Sequence, residues 1–245
     1  MPFTFSHPAI ILPFAKIRSA YVSMSCLVVG SMTPDFQYFL QMKLKGRIMH
    51  TWHGAFIVDL PIALMLIFIF HLIVKKPLIE NLPTYFQSRL MDLYTLDFIQ
   101  SFRKNYVGYL LCLQIGILSH IFWDSFTHSN AYFVEHMEFL TWNVEYEGIP
   151  DKPLYRYIQH ISTIVGAIII AMFFHFLPVR IIRSNCNWRY WLLVLLFFAV
   201  AFLIRWVFGF RFFGDFVVAF ISCIFLGFIL AGIAFHPFVK RLLSQ

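Results

Sequence analysis

Hydrophobic residues make up 60% of this 245-residue chain and charged residues only 13%, with a mean hydropathy of +0.74. That balance excludes an ordinary soluble domain and indicates a protein that crosses a membrane several times. The net charge of +7 does not indicate a nucleic-acid partner, because Lys and Arg stand at the ends of apolar runs rather than in one basic stripe.

In chain order, Met1-Pro-Phe-Thr-Phe-Ser lacks a basic start followed by an apolar core, so no cleavable signal peptide is expected. Ala20 to Val29 is apolar but too short to span and follows Lys16 and Arg18, which predicts a re-entrant or surface helix. Five later runs reach the roughly 20 apolar residues that a bilayer core requires. They are Phe56 to Val74, Val107 to Phe126, Ile161 to Val179, Trp191 to Phe210, and Phe216 to Phe235. The last two read as a helical hairpin with Arg205, Arg211 and Asp215 near its turn.

The expected fold class is therefore all-α: a polytopic membrane helix bundle of about five transmembrane helices plus the short N-terminal helix. It forms a single integral-membrane domain over residues 1–245. Residues 1–55 carry candidate ligands, 56–179 form core helices with a His/Asp site, and 180–245 contain the hairpin. Segments alternating like barrel strands do not occur. Cys26, Cys112, Cys186 and Cys223 are far apart with no paired spacing, and read as structural thiols.

Loop charges orient the chain. Lys75, Lys76, Arg89, Arg103 and Lys104, then Arg180, Arg183 and Arg189, then Lys240 and Arg241 fall on one side if there are five spans. The positive-inside rule makes that side cytoplasmic. The loop after the second span, with Glu135, Glu138, Glu145, Glu147 and Asp151, then faces outward, although Lys16, Arg18, Lys43, Lys45 and Arg47 share its side. Whatever the orientation, connectivity puts the residues before the first span, the end of the second and the start of the third on one face. His7, Asp35, His50, His53, His120 to His128, and His160 all lie in those places.

The most informative segment is Leu118-Ser-His-Ile-Phe-Trp-Asp-Ser-Phe-Thr-His128. Hydrocarbon penalises such polar side chains, so they are expected to face protein or water and to carry a function. Residues four apart on a helix are offset by about 40° and about 6 Å, so His120, Asp124 and His128 form one stripe. The outer two would be about 12 Å apart on a straight helix, too far to share a zinc ion at bond lengths of about 2.0–2.2 Å. Either the helix ends before His128, or Asp124 bridges two ions. Imidazole with carboxylate suits a divalent metal, zinc first, with manganese or iron as alternatives. The competing role is a polar stripe that hydrogen-bonds neighbouring helices.

At Met1-Pro-Phe-Thr-Phe-Ser-His7-Pro-Ala, Gly30-Ser-Met-Thr-Pro-Asp35-Phe, His50-Thr, Asp59-Leu-Pro, the His120 to His128 segment and Gln159-His160-Ile-Ser, the chain resembles an uncharacterised bacterial integral-membrane family. The likeness runs from Met1 to about Gly166. More distantly, the order of ligands is similar to membrane-bound metal-dependent hydrolases and to the zinc-dependent phospholipase C fold. That second likeness implies one ion held by Asp35, His50, His120 and Asp124, with Asp124 bridging to a second ion near His7 and His128 with His160 contributing to a third. The chain departs from the pattern at the N-terminal amine, since Met1 is expected to remain blocked or unprocessed, and at Ile164, where the phospholipases place a Glu. The likeness thus reaches a one- or two-metal site more readily than a three-metal one.

Other polar residues have simpler readings. His53, three residues from His50, is the lesser ligand candidate, and Asp59, near Pro61 at the start of a span, reads as a helix cap. His71 and His175, near the ends of the first and third spans, read as interfacial residues rather than haem ligands. His136 and His236 lie at edges. Trp52, Trp123, Trp142, Trp188, Trp191 and Trp206 include interfacial anchors.

If metal is bound, the expected chemistry is hydrolysis, with Asp35 or Asp124 a ligand first and a general base second. The expected substrate is a membrane lipid or lipid-linked phosphoester, at a site on the outer face of a bacterial cytoplasmic membrane. No phosphate-cradling glycine loop or serine nucleophile elbow is present. The alternative is a membrane protein without catalysis, or an ion or proton transporter, in which Arg205 and Asp215 would find a use.

Overall fold

The computed structural model describes residues 3–17, 19–46, 48–145, 150–181 and 186–235. Met1, Arg18, Arg47, Glu147, Arg183, His236, Lys240 and Arg241, which enter the expectations above, lie outside the described residues. Among the described residues every regular element is helical, and the bridge between Asn143 and Pro153 stands isolated. Five helices are long and apolar enough to cross a membrane: Trp52–Asn81, Phe98–Asp124, Leu154–His175, Trp188–Val207 and Phe213–Phe235. The protein is an all-α membrane protein, and the helix Met24–Met32 is too short to be a sixth span.

The boundaries differ from the hydropathy runs for local reasons. The first span begins where Thr51 Oγ1 accepts the Gly54 amide at 3.0 Å. It continues through two π-helical segments, Ala55–Asp59 and Phe70–Val74, and past the expected loop at Lys75. Lys75 is buried there, its ammonium donating to the Leu96 carbonyl at 2.7 Å. The helix ends at Leu82, whose extended conformation (ψ 154°) is the one that the following Pro83 favours. The third span stops at His175, short of Pro178. The fourth stops at Val207, because Gly209 turns into the left-handed region (φ +67°) and its amide donates to the Trp206 carbonyl at 2.9 Å.

The chain divides into two compact units. One comprises Met1–Asp35, Arg47–Leu64 and Phe102–Phe176; the other comprises Phe36–Gly46, Met65–Ser101 and Leu177–Gln245. In the second, Tyr190, Val194 and Ala231 form a core between the fourth and fifth spans. Arg205 donates to the Gly209 carbonyl at 2.5 Å and the Met42 carbonyl at 3.3 Å, and Asp215 accepts the Leu44 amide at 2.9 Å. Both charged residues are thereby engaged in holding the hairpin turn and the 36–46 segment. The interfacial reading of His71 is corrected: it is buried, its ring stacked 4.0 Å from Phe98, because the helix runs on beyond it.

In the first unit the N-terminal chain is a 3-10 helix over Thr4–Lys16, followed by the helix Met24–Met32, which Ser23 caps through its hydroxyl. This second helix crosses the second span at very short range. A Cβ on Gly30 would lie 2.2 Å from the Leu113 carbonyl oxygen, and one on Gly116 would lie 2.4 Å from that of Leu27. Two glycines therefore let two backbones touch where any side chain would force them apart. Gly116 lies four residues before His120 and Gly30 five before Asp35, so this crossing sets the distance between the elements that carry them. Gly116→Val is expected to destabilise the fold by about 1–3 kcal/mol, since the opposing atoms are backbone and cannot swing aside. Thermal unfolding in detergent checks this, and a melting temperature equal to wild type would show that the crossing tolerates separation.

Candidate metal centre

His7, Asp35, His50, His120, Asp124 and His128 converge in the first unit, each delivered by a different local device. His7 sits on the 3-10 helix Thr4–Lys16, which is fastened to the third span by three contacts. The Phe3 amide donates to Thr163 Oγ1 at 3.0 Å, and Ser6 Oγ donates to the Thr163 carbonyl at 2.9 Å. Gly166 admits the Ser6 backbone at 2.9 Å from where a Cβ would stand. Asp35 closes the 3-10 turn Thr33–Asp35, and His50 closes Ile48–His50 just before the Thr51 cap. The π-helical turn Ala55–Asp59 packs against both turns.

The stripe on the second span resolves through helix termination. The helix ends at Asp124, and the chain turns so that His128 folds back, its Nδ1 3.0 Å from the Asp124 carbonyl and 3.7 Å from Asp124 Oδ2. His128 thus lies beside Asp124 after the helix has ended.

The inner ligand atoms stand at regular distances. His50 Nε2 is 3.4 Å from Asp35 Oδ1 and 3.5 Å from Asp124 Oδ2, while His120 Nε2 is 3.7 Å and 3.4 Å from the same two oxygens. Ligands about 2.0–2.1 Å from a tetrahedral zinc ion stand about 3.3–3.4 Å from one another. The four atoms form a closed ring, in the order Asp35, His50, Asp124 and His120, whose neighbours stand at or slightly beyond that spacing. On its far side, Asp124 Oδ1 is 3.5 Å from His7 Nε2. His7, Asp35 and His120 also form a group with ligand atoms within 4.8 Å of one another, as do His50, His120 and Asp124. His120 belongs to both groups but has one nitrogen to give.

Hydrogen bonding assigns that nitrogen. His120 Nδ1 lies 2.7 Å from the Ser31 carbonyl, which only accepts, so Nδ1 carries a proton. In the neutral ring Nε2 then turns a lone pair toward two carboxylates. Asp35 Oδ2 accepts the Thr4 hydroxyl at 2.5 Å, which leaves Oδ1 facing the cluster. Asp35 Oδ1, His120 Nε2 and both Asp124 oxygens are buried without a hydrogen-bond partner among the described residues. Acceptors facing acceptors repel unless a proton on His120 Nε2 or a cation lies between them, and the donor set fits a metal ion in that place.

Burial alone would push Asp35 up, but His120 and His50 outweigh it and hold the carboxyl below the usual range. Burial, reinforced by His120, pushes His7 down to about 3. The two rings stack 3.6 Å apart and 14° from parallel, an arrangement that disfavours two positive charges.

Not every expected residue joins. His160 is exposed on the third span and, like His128, stands in neither ligand group. His53 is exposed beside the inward His50. Asp59 does not cap the first span, since Thr51 does; it lies well inside the helix, fully buried, with no hydrogen bond to either oxygen among the described residues. Thr4, the Ser31 carbonyl, Thr163 and Gly166 were not anticipated from sequence. The proximity of Thr4 to His7 was visible there, but its bond to Asp35 was not.

The sequence model of the DUF4184 family, described as a domain of unknown function, matches residues 1–233. Comparison with curated proteins and with solved structures finds no match to the chain.

With metal withheld, the folded value of about 3 for His7 lies below the ordinary histidine value of 6.5. The unfolded chain then takes up a proton that the folded chain refuses, and this group's contribution lowers stability as pH falls from about 6.5 toward about 3. The His7 ring resonances of metal-free protein should stay flat between about pH 7 and about pH 4. A midpoint near the ordinary histidine value would show that the ring is not enclosed.

Proposed function

We propose that this chain, which belongs to the DUF4184 family, is a membrane-embedded metal-dependent hydrolase that cleaves a phosphoester of a lipid or lipid-linked substrate. The observation that carries this reading is the ring of four candidate ligand atoms, from Asp35, His50, Asp124 and His120, each 3.4–3.7 Å from its neighbours in the ring. Zinc is the first choice for that set, with manganese or iron as alternatives. A zinc ion held there would lower the pKa of a bound water to about 7 and polarise a phosphoryl oxygen.

The side chains divide the remaining work. Ser31 fixes the His120 tautomer and Thr4 fixes the Asp35 carboxylate, so these two ligands are oriented before anything binds. With Asp35 occupied by Thr4, Asp124 is the carboxylate left to accept a proton from water. His7 faces its Oδ1, where a second ion would complete a bridged pair. The His50 and His128 side chains are 19% and 32% exposed while His7 and His120 are fully buried, so substrate would approach from the His50 and His128 side.

Trp52, Tyr132 and Trp142, in the same unit and at or just beyond the span ends that carry the ligands, are 68%, 62% and 64% exposed. They suit the interfacial depth at which a lipid headgroup lies. The acidic composition of the loop after the second span favours the outer face of a bacterial cytoplasmic membrane. The transporter alternative drew on Arg205 and Asp215, which have structural hydrogen bonds instead.

Purified wild type is expected to carry at least about one equivalent of zinc, and Asp124→Asn to lose most of it together with about 100-fold or more of any phosphoester hydrolysis. His53→Ala should change neither. Elemental analysis and phosphate release check this. Full metal occupancy in Asp124→Asn, or no binding of zinc, manganese or iron by wild type, would remove the hydrolase reading.

A further inference from the structure

A groove of about 290 Å³ opens beside the His/Asp cluster, lined by Ala9, Ile10, Phe122, Trp123, Phe126 and Ile169. All six belong to the unit that holds the cluster, and none carries a charge. Two connections join groove and cluster. Trp123 forms a wall of the groove and packs edge-on against His7, with ring centroids 5.6 Å apart, and the next residue is Asp124. The 3-10 helix Thr4–Lys16 supplies His7 to the cluster and Ala9 and Ile10 to the groove. A chain lying in the groove therefore runs along Trp123, the residue next to Asp124 and in contact with His7.

We infer that this groove seats the hydrocarbon chain of the substrate while its phosphoester lies at Asp124, on the side that His50 and His128 leave exposed. This rests on the hydrolase reading and adds a substrate class: a phosphoester on a single prenyl or alkyl chain. The volume is at the small end of ligand pockets, which run from roughly 300 to 1,000 Å³. One chain fits it better than the paired chains of a diacyl lipid. A chain already in the bilayer gains no hydrophobic energy by entering, because it exchanges one hydrocarbon setting for another. The groove's contribution is position, holding the headgroup at the ligands for reaction.

The test uses the zinc-loaded full chain in lipid nanodiscs and two photoreactive probes: a long-chain alkyl phosphate with a mid-chain diazirine, and the same diazirine alkane without the phosphate. The phosphate probe should label the peptides containing Phe122 to Phe126 and Ile169. Ile169→Trp and, separately, Ile10→Trp should fill the groove and cut that labelling about ten-fold with bound metal unchanged, as expected when a positioned chain is displaced. The headless alkane should label lipid-facing surfaces broadly and ignore both substitutions. A phosphate probe that distributes like the alkane, or that keeps its labelling in both metal-retaining variants, overturns the inference. Labelling needs no turnover, so groove labelling without cleavage of any phosphoester supports the groove and removes the hydrolase reading alone. Cleavage without groove labelling removes the groove alone.

Discussion

Asp35 and Asp124 are buried together in a chain that offers few charges to balance them. Two carboxylates taken out of water repel each other and lose their hydration, which costs several kcal/mol per ion unless positive or donating partners surround them. The surroundings supply one hydroxyl, from Thr4, and a ring of imidazoles whose inward nitrogens are themselves acceptors or shared protons. Much of the first unit is arranged about this demand. The N-terminal 3-10 helix, the crossing at Gly30 and Gly116, and the turn that returns His128 each bring a group to those carboxylates.

The third span illustrates how a helix can serve a site without giving it a ligand. Thr163 binds the N-terminal segment through both hydroxyl and carbonyl, and Gly166 lets it lie close. His7 is thereby pressed against His120 instead of trailing at a chain end. In the second unit the charged groups serve the backbone. Arg205 closes the turn at Gly209 and reaches Met42, while Asp215 receives an amide from Leu44. Intramembrane charge in this protein thus has two uses, separated by unit.

The two π-helical segments of the first span also deserve physical notice. Each widens the helix by a residue, and such widening often accompanies a functional constraint. The first ends at Asp59, buried in the unit that holds the cluster, and the second contains His71, whose ring stacks on Phe98. Neither could be read from hydropathy, because a widened turn leaves composition unchanged.

The sequence by itself determined the class, the number of apolar spans and most of the residues that meet in the His/Asp cluster. Apolar length counts crossings directly, and connectivity forces the flanking segments to one face. The four-residue spacing of His120, Asp124 and His128 announced a site and posed the choice between helix termination and bridging. Tertiary structure decided what spacing cannot encode. It separated His50 from His53 by pointing one inward, left His160 exposed, and moved capping from Asp59 to Thr51. It also fixed the His120 tautomer through a carbonyl 89 residues away in the chain. Those outcomes depend on which backbones approach closely, as where Gly30 and Gly116 meet carbonyl oxygens across a helix crossing, a contact with no local signature in the sequence.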